Sequence, residues 1–437
     1  MKSQTVTNKD GFKVLLVGYN GANNTGAEAR LLAIIEDVRA VLEENALITV
    51  PTLNEANLRR YIKEGPNLRI VPIPSIYFFA IRRLVKEHDL ILLVEGSCYM
   101  DTWTSALLWV FLWATRCAHA MGKPCLAYAV DAGELCAFNQ RCVRREANKT
   151  DLIITRTQAA ADRLRSLGVT APIEVTADNA FSFRTDSTDE GWPQRVWPEA
   201  ATGVVGLAVV DFYLWPVVVR LWGRQEDCYK WPYYYSRSTE RRRATEALAD
   251  GYAALADSIV AEHDKSIALI CMEQLDEPLA GMIHSRMTHA NRARVFSSRE
   301  YNASQMTILL RNLELLVTSR YHACVLSMAS QMPQVAVGHD LRLKTIYSEI
   351  GLKDEFFIKP YSPKKHLRYE ADEMFKALKD RVEKLLAHPD LVKDALCQGY
   401  AAYMAKTRRN RELLSAFVQA HKHEAEAVVL KEQSPMD

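Results

Sequence analysis

The chain has 437 residues, 49% of them hydrophobic and 25% charged, with a formal net charge of +2. That length exceeds what one core usually holds and predicts two domains. A charge so near zero excludes a broad cationic surface for nucleic acid, so any basic site must be local. The nine cysteines are odd in number, scattered and without a CxxC pair, which argues against a disulfide framework or a zinc site and for reduced thiols. The apolar run at 12–17 is too short for the core of a secretion signal, so a cytoplasmic protein is expected.

In chain order, residues 14–18 read as a strand. Residues 27–44 follow as a helix, with apolar side chains at Leu31, Leu32, Ile35, Val38 and Leu42, and 47–51 as the next strand. Residues 90–95 read as a buried strand, 105–121 as a helix, and 124–130 and 151–156 as further strands. The most apolar segment, 105–114, is too short to span a bilayer before Arg116. It reads as a core helix, with an interfacial helix carrying Trp109 and Trp113 as the alternative. After Phe181 a stretch rich in Asp, Thr, Pro and Gly reads as a linker. A second series follows, with strands at 204–210, 266–272, 294–296, 313–318 and 334–337 and a helical tail from 371 to about 429. Such alternation predicts an α/β fold of two Rossmann-like, doubly wound parallel-sheet domains, 1–190 and 191–370, followed by the tail 371–437. Ligands in this architecture sit outside the strand C-termini, so the expected site lies where two such edges face across a cleft.

Two loops and one long segment carry candidate chemistry. In GYNGANNTGAEARLL, the glycines Gly18, Gly21 and Gly26 separate a strand from its helix. Their backbone amides suit an anion or a closely approaching sugar, although a plain tight turn explains them equally. In Ser319-Arg320-Tyr321-His322 a strand again gives way to a helix. A guanidinium fork there matches phosphate or carboxylate, and His322 can move a proton near neutral pH. The alternative is an Arg–carboxylate pair beside a hydrogen-bonded core histidine. Residues 211–243 are rich in aromatics: Tyr213, Trp215, Trp222, Trp231 and Tyr233–Tyr235 suit stacking on sugar rings. Arg237 and Arg241 to Arg243 suit a lipid-linked diphosphate or an acidic membrane surface. A lid or an aromatic-packed helix explains the same residues. Single-stranded nucleic acid fits the aromatics but not the low net charge.

The segment SRYHACVLSMASQMPQVAVGHDLRLKTIYSEIGL, 319–352, resembles the closing signature of the polysaccharide pyruvyl transferase family, an Arg-x-His-Ala core opening a helix, then a strand, an Asp and a cation. Residues 21–29 resemble the family's Gly-x-x-Asn-x-Gly-Asp-Glu-Ala loop. Residues 154–181, ITRTQAAADRLRSLGVTAPIEVTADNAF, resemble its Arg-Asp…Leu-Gly-Val…Asp-x-Ala-Phe run. Three positions differ: the loop reads Gly26-Ala27-Glu28, the Arg-Asp pair reads Arg156-Thr157, and a usual triple glycine reads Glu95-Gly96-Ser97.

The resemblance implies a transferase that moves a pyruvyl group from phosphoenolpyruvate to two hydroxyls of a glycan, forming a cyclic ketal and releasing phosphate. Phosphoenolpyruvate is then a co-substrate, and neither a cofactor nor a metal is required. His322 and Arg320 become the catalytic candidates, with Glu28 and His339 as other proton carriers. Ser319, Arg320, Arg342 and Lys344 become donor-binding candidates in the second domain. Gly21, Asn24, Gly26, Glu28, Ser97, Asp101, Tyr213 and Trp231 become acceptor-binding candidates. The expected partner is a glycan or lipid-linked saccharide and not a nucleic acid, reached in the cytoplasm or at the inner face of a membrane. Two other readings share the two-domain, GT-B-like architecture: a nucleotide-sugar glycosyltransferase and a non-catalytic carbohydrate-binding relative.

Overall fold

The structure, a computed structural model, describes residues 12–42, 46–102, 104–200, 203–214, 217–236, 238–338, 340–362 and 367–432. Trp215, Arg237 and His339 lie outside the described residues. Among those described, one compact unit comprises 12–22, 27–183 and 403–432, and the other 23–26 and 184–402.

The first unit is built on seven parallel strands: β1 (Lys13–Val17), β2 (Leu47–Thr52), β3 (Leu68–Pro72), β4 (Leu90–Leu93), β5 (Cys125–Val130), β6 (Leu152–Thr155) and β7 (Ile173–Val175). Their order is β3-β2-β1-β4-β5-β6-β7. The central strands are continuous apolar runs because helices cover both faces. Val14 to Val17 and Leu90 to Leu93 are accordingly buried. The covering helices are α1 (Thr25–Leu42), α2 (Glu55–Leu58), α3 (Phe78–Glu87), α4 (Ser105–Ala120), α5 (Ala137–Ala147) and α6 (Gln158–Ser166). The sequence pattern does not reveal β3 and β7. Both are edge strands with half-exposed side chains, so neither shows an unbroken apolar run.

The second unit carries six parallel strands, β8 (Val204–Ala208), β12 (Ser266–Cys271), β13 (Ala293–Ser297), β14 (Leu315–Thr318), β15 (Gln334–Val337) and β16 (Phe357–Ile358), in the order β13-β12-β8-β14-β15-β16. A separate antiparallel sheet holds β9 (Val217–Val219), β10 (Cys228–Lys230) and β11 (Tyr233–Tyr235). The aromatic stretch therefore holds three short antiparallel strands joined by turns, and becomes α-helical only from Thr239. The helices are α7 (Trp192–Val196), α8 (Thr239–His263), α9 (Glu277–Arg286), α10 (Ala303–Arg311), α11 (Tyr321–Ser327), α12 (Leu341–Glu349), α13 (Lys353–Phe356), α14 (Leu367–Ala387) and α15 (Lys393–Glu432).

The polar stretch after Phe181 is not a loose linker. Trp192 packs on Tyr301 at 4.7 Å between ring centroids and Trp197 on Phe296 at 5.7 Å, which anchors the segment in the second unit. The tail is helical as expected, interrupted before Pro389. From Tyr403 onward it packs into the first unit. There Tyr403 stacks on Phe181 at 4.6 Å, Asn410 donates to the Ala177 carbonyl, and Arg411 pairs with Asp37 at 2.8 Å.

Candidate functional site

Strand order reverses between β1 and β4 in the first sheet and between β8 and β14 in the second. In an open parallel sheet, that reversal opens a crevice at the strand C-termini, because neighbouring connections leave to opposite faces. The residues selected by topology are thus those following β1 and β4, and those following β8 and β14. They include Gly21, Ser97, Ser319, Arg320 and His322.

In the second unit, β14 lies beside β8, and the chain continues the ladder one residue further, Ser319 N–H donating to the Ala208 carbonyl at 2.9 Å. Thr318 Oγ1 then accepts from Arg320 N–H and donates to Arg320 C=O, both at 3.0 Å, which fixes the turn into α11. Arg320 Nε donates to both Asp276 carboxylate oxygens at 3.0–3.1 Å, a second guanidinium nitrogen also bonds Asp276, and Nη1 donates to Glu273 at 3.0 Å. Glu273 and Asp276 follow β12 and cap the turn between them reciprocally.

Residues 23–26 complete this cluster. Thr25 N–H donates to the Met272 carbonyl at 2.9 Å, Asn24 forms a bridge with Glu273, and Ser298 Oγ donates to the Asn23 carbonyl at 2.8 Å. The loop brings Gly26 onto the half-buried His322, so closely that a Cβ on Gly26 would lie 2.0 Å from His322 Nδ1. The glycine is therefore required by close approach and not by a turn conformation. Arg342 pairs with Asp340, Nη2 to Oδ2 at 2.6 Å, and its guanidinium lies over the Tyr321 ring at 5.0 Å. Lys344 is half-buried one residue pair further along α12.

Burial dominates the electrostatics of the cluster. Asp276 is 1% exposed, and its loss of hydration pushes the carboxyl up to about 6 despite the opposing pull of Arg320. Burial works against the charge on Arg320, but Asp276 and Glu273 outweigh it and hold the guanidinium above its ordinary value. With both acids ionised, the three side chains sum to one negative charge; with Asp276 protonated they are neutral.

In the first unit, Gly21 has φ +80° and its N–H donates to Tyr61 Oη at 3.3 Å. Glu28 is buried and accepts from Arg60 at 3.2 Å. Ser97 N–H donates to Glu95 Oε1, whose other oxygen accepts from Tyr19 N–H, so the turns after β1 and β4 are tied together. A Cβ on Gly96 would lie 2.7 Å from one guanidinium nitrogen of Arg156 and 2.8 Å from one of Arg30. These two buried arginines share Asp178, and Arg156 also pairs with Asp131 at 3.0 Å. The Arg156 and Asp178 motifs thus form a buried ion network. Asp101 accepts from Cys136 N–H at 2.9 Å and Asn139 Nδ2 at 2.7 Å, which pins the start of α5.

Two aromatic candidates have opposite settings. Tyr213 is buried, donating its hydroxyl to the Tyr361 carbonyl at 2.8 Å. Trp231 is 64% exposed and donates its indole N–H to the Leu221 carbonyl at 3.2 Å. Sequence reasoning did not single out Glu273 and Asp276, which stand more than 40 positions from Arg320. The available signal was their place just after the strand 266–272. Among the described residues, Glu262, His263 and Glu383 have the spacing of cation ligands. They lie near the N-terminal end of β12, away from this crevice, with Lys379 and His263 already bonded to the two carboxylates at 2.6 and 2.7 Å.

The sequence from 24 to 340 matches the family model described as polysaccharide pyruvyl transferase. No curated protein matches it. Among solved structures, it resembles the UDP-GlcNAc 2-epimerase from Neisseria meningitidis, at 10% identity and TM-score 0.55, covering 92% of this chain and 100% of that one. It also resembles the α,α-trehalose 6-phosphate synthase from Burkholderia multivorans, at 11% identity and TM-score 0.53, with 95% and 100% covered. A third likeness is to the UDP-N-acetylglucosamine 2-epimerase from Rickettsia bellii, at 10% identity and TM-score 0.53, with 94% and 98% covered. At such identities the likeness is one of fold, the GT-B-like pair of parallel-sheet domains expected from the sequence.

Proposed function

Because the chain belongs to the polysaccharide pyruvyl transferase family, its match spanning residues 24–340, we propose that this transferase uses phosphoenolpyruvate as donor and forms a pyruvate ketal on a glycan. The C–O bond to phosphate breaks, two sugar oxygens bond to the former enol carbon, the methylene carbon gains a proton to become a methyl group, and of the two hydroxyl protons lost one balances that gain and the other goes to the departing phosphate. Such a path passes through an oxocarbenium-like centre and needs a proton carrier as well as cations for a carboxylate and a phosphate.

The observation that carries this reading is the packing of Gly26 on His322, two residues after Arg320, at the strand-order reversal of the second sheet. His322 is the proton carrier in the proposal. Arg320 binds the donor while Asp276 and Glu273 hold its guanidinium in place, Arg342, steadied by Asp340, supplies a second cation, and Lys344 and Ser319 are the further donor-binding residues of the proposal. Gly21, Asn24, Gly26, Glu28 and Ser97 are the acceptor-binding residues of the proposal. Trp231 suits stacking on a sugar, whereas the buried Tyr213 and Asp101 act by holding the structure around them. Side-chain cations meet the charge requirement, with no metal or cofactor invoked. The acceptor is a glycan or a lipid-linked saccharide met in the cytoplasm or at the inner face of a membrane.

The test is release of inorganic phosphate from phosphoenolpyruvate over a panel of glycans. Glycan-dependent release supports the reading. Release of a nucleoside diphosphate from a nucleotide sugar, with phosphoenolpyruvate untouched, overturns it.

A further inference from the structure

Helices α3, α4 and α5 lie side by side on one face of the first sheet, and their outer surface is a groove of about 340 Å³ lined by Phe78, Trp109, Leu112, Trp113 and Phe138. Phe78 meets Trp113 edge-on at 5.5 Å and Trp109 meets Phe138 at 6.4 Å, which sets two aromatic walls over Leu112. The indole N–H groups are already used, Trp113 donating to the Phe78 carbonyl and Trp109 to Asn139. The groove therefore presents carbon. Phe138 is 61% exposed, and nearby in sequence Phe79 and Ile76 stand 84% and 74% exposed. Apolar side chains concentrated this way on one surface mark an interaction site.

The rim has the opposite character. The three helices carry seven Lys and Arg (82, 83, 86, 116, 141, 144 and 145) against two acids, Glu87 and Glu146. That local +5 exceeds the +2 of the whole chain. Glu146 is shared by Arg116 at 3.6 Å, Arg145 at 3.4 Å and Lys149 at 2.6 Å, so it cannot neutralise them. Polarity also runs along the helices. A helix connecting parallel strands starts near the strand C-termini, so Phe78, Trp109 and Phe138 lie toward the end where β1 and β4 finish, with Arg116 and Arg145 further back.

We infer that this face docks the protein on an anionic phospholipid bilayer, the aromatics entering the headgroup boundary and the cations meeting lipid phosphates. A protruding aromatic set with a net cationic rim is what a peripheral surface site requires. A second copy of the chain would bring +5 against +5, which disfavours self-association through the same face. No described helix is long and apolar enough to cross a membrane, so the contact is a peripheral one. This inference does not depend on the pyruvyl-transfer reading.

The test is co-sedimentation of the full chain with vesicles of phosphatidylcholine alone and with about 30% phosphatidylglycerol, the mole fraction being chosen to mimic an anionic leaflet. Binding to the anionic vesicles only, weakened by raised salt, is expected. Phe79→Ser with Phe138→Ser should reduce partitioning by at least about tenfold while leaving the melting temperature unchanged, because both side chains are largely exposed. Arg83→Glu with Arg145→Glu should reduce it by about 25-fold or more, at roughly fivefold per cation removed. Failure of the native chain to sediment with anionic vesicles overturns the inference, as does undiminished binding by the Phe79/Phe138 variant. A dimer in solution that this variant dissolves, without vesicle binding, would instead assign the face to a second copy.

Discussion

Gly26→Ala tests the site through a residue that carries no functional group. The added Cβ would lie 2.0 Å from His322 Nδ1, where ordinary contact begins at about 3.4 Å. Ring and loop must therefore separate by at least about 1.4 Å, the difference of these values. Neither yields readily: the loop is fastened by Thr25 to Met272, Asn24 to Glu273 and Ser298 to Asn23, and α11 is fixed at its start by Thr318. Overpacking of this kind costs about 1–3 kcal/mol of stability. A displacement of about 1 Å at a reacting group costs about a hundredfold in rate. The expected outcome is a folded protein melting a few degrees lower, with glycan-dependent phosphate release from phosphoenolpyruvate reduced about 10²-fold and the His322 ring resonances shifted in a histidine-labelled NMR spectrum. If turnover and the His322 resonances both match the native protein, the close packing of loop on histidine has no functional weight.

His322→Ala should lower turnover by about 10²–10⁴-fold with little change in donor affinity, and His322→Gln should be nearly as inactive, because it cannot titrate between pH 5 and 8. A Gln variant within a few-fold of native would remove His322 as the proton carrier. Arg320→Ala should abolish donor binding measured by calorimetry, and unaltered affinity would show that the guanidinium serves only Asp276 and Glu273. With Asp276 lifted to about 6, its protonation removes one negative charge beside the donor, so phosphoenolpyruvate should bind more tightly as pH falls through 6. Asp276→Asn should flatten that dependence, and an unchanged pH profile in the variant would exclude Asp276 as its source. The same lift predicts that folding keeps a proton the unfolded chain loses above about 3.9. The contribution of Asp276 to stability therefore declines as pH rises from about 4 to about 6, and the Asn variant should lack that slope in denaturant titrations.

Much of the fold was legible because its central strands are buried on both faces and so appear as unbroken apolar runs. The strand expected at 334–337 coincides with β15, and that expected at 204–210 contains β8. The edges were less legible. β3 alternates buried and half-exposed residues, and β16 contributes only Phe357 and Ile358, so neither produces a run. Composition misled at 184–200, where polar residues conceal Trp192 and Trp197, whose packing fixes the segment. At the site, Arg320, His322 and Gly26 stood out because functional groups at strand-to-helix turns have a physical meaning. Their partners did not, since Glu273 and Asp276 reach Arg320 only through the adjacency of β12, β8 and β14, which no local pattern encodes. The pairings of the buried arginines beneath Gly96 were equally hidden, because Arg30 meets Asp178 and Arg156 meets Asp131 only where separate elements come together.

The most direct measurement is an NMR spectrum of a glycan acceptor after incubation with the protein and phosphoenolpyruvate in deuterated water. Ketal formation predicts a new methyl signal on the glycan, one deuteron on that methyl carbon from solvent, and phosphate released in equal amount, all lost together in His322→Ala. An unmodified glycan, accompanied by free pyruvate and phosphate or by consumption of an added nucleotide sugar, would contradict the account.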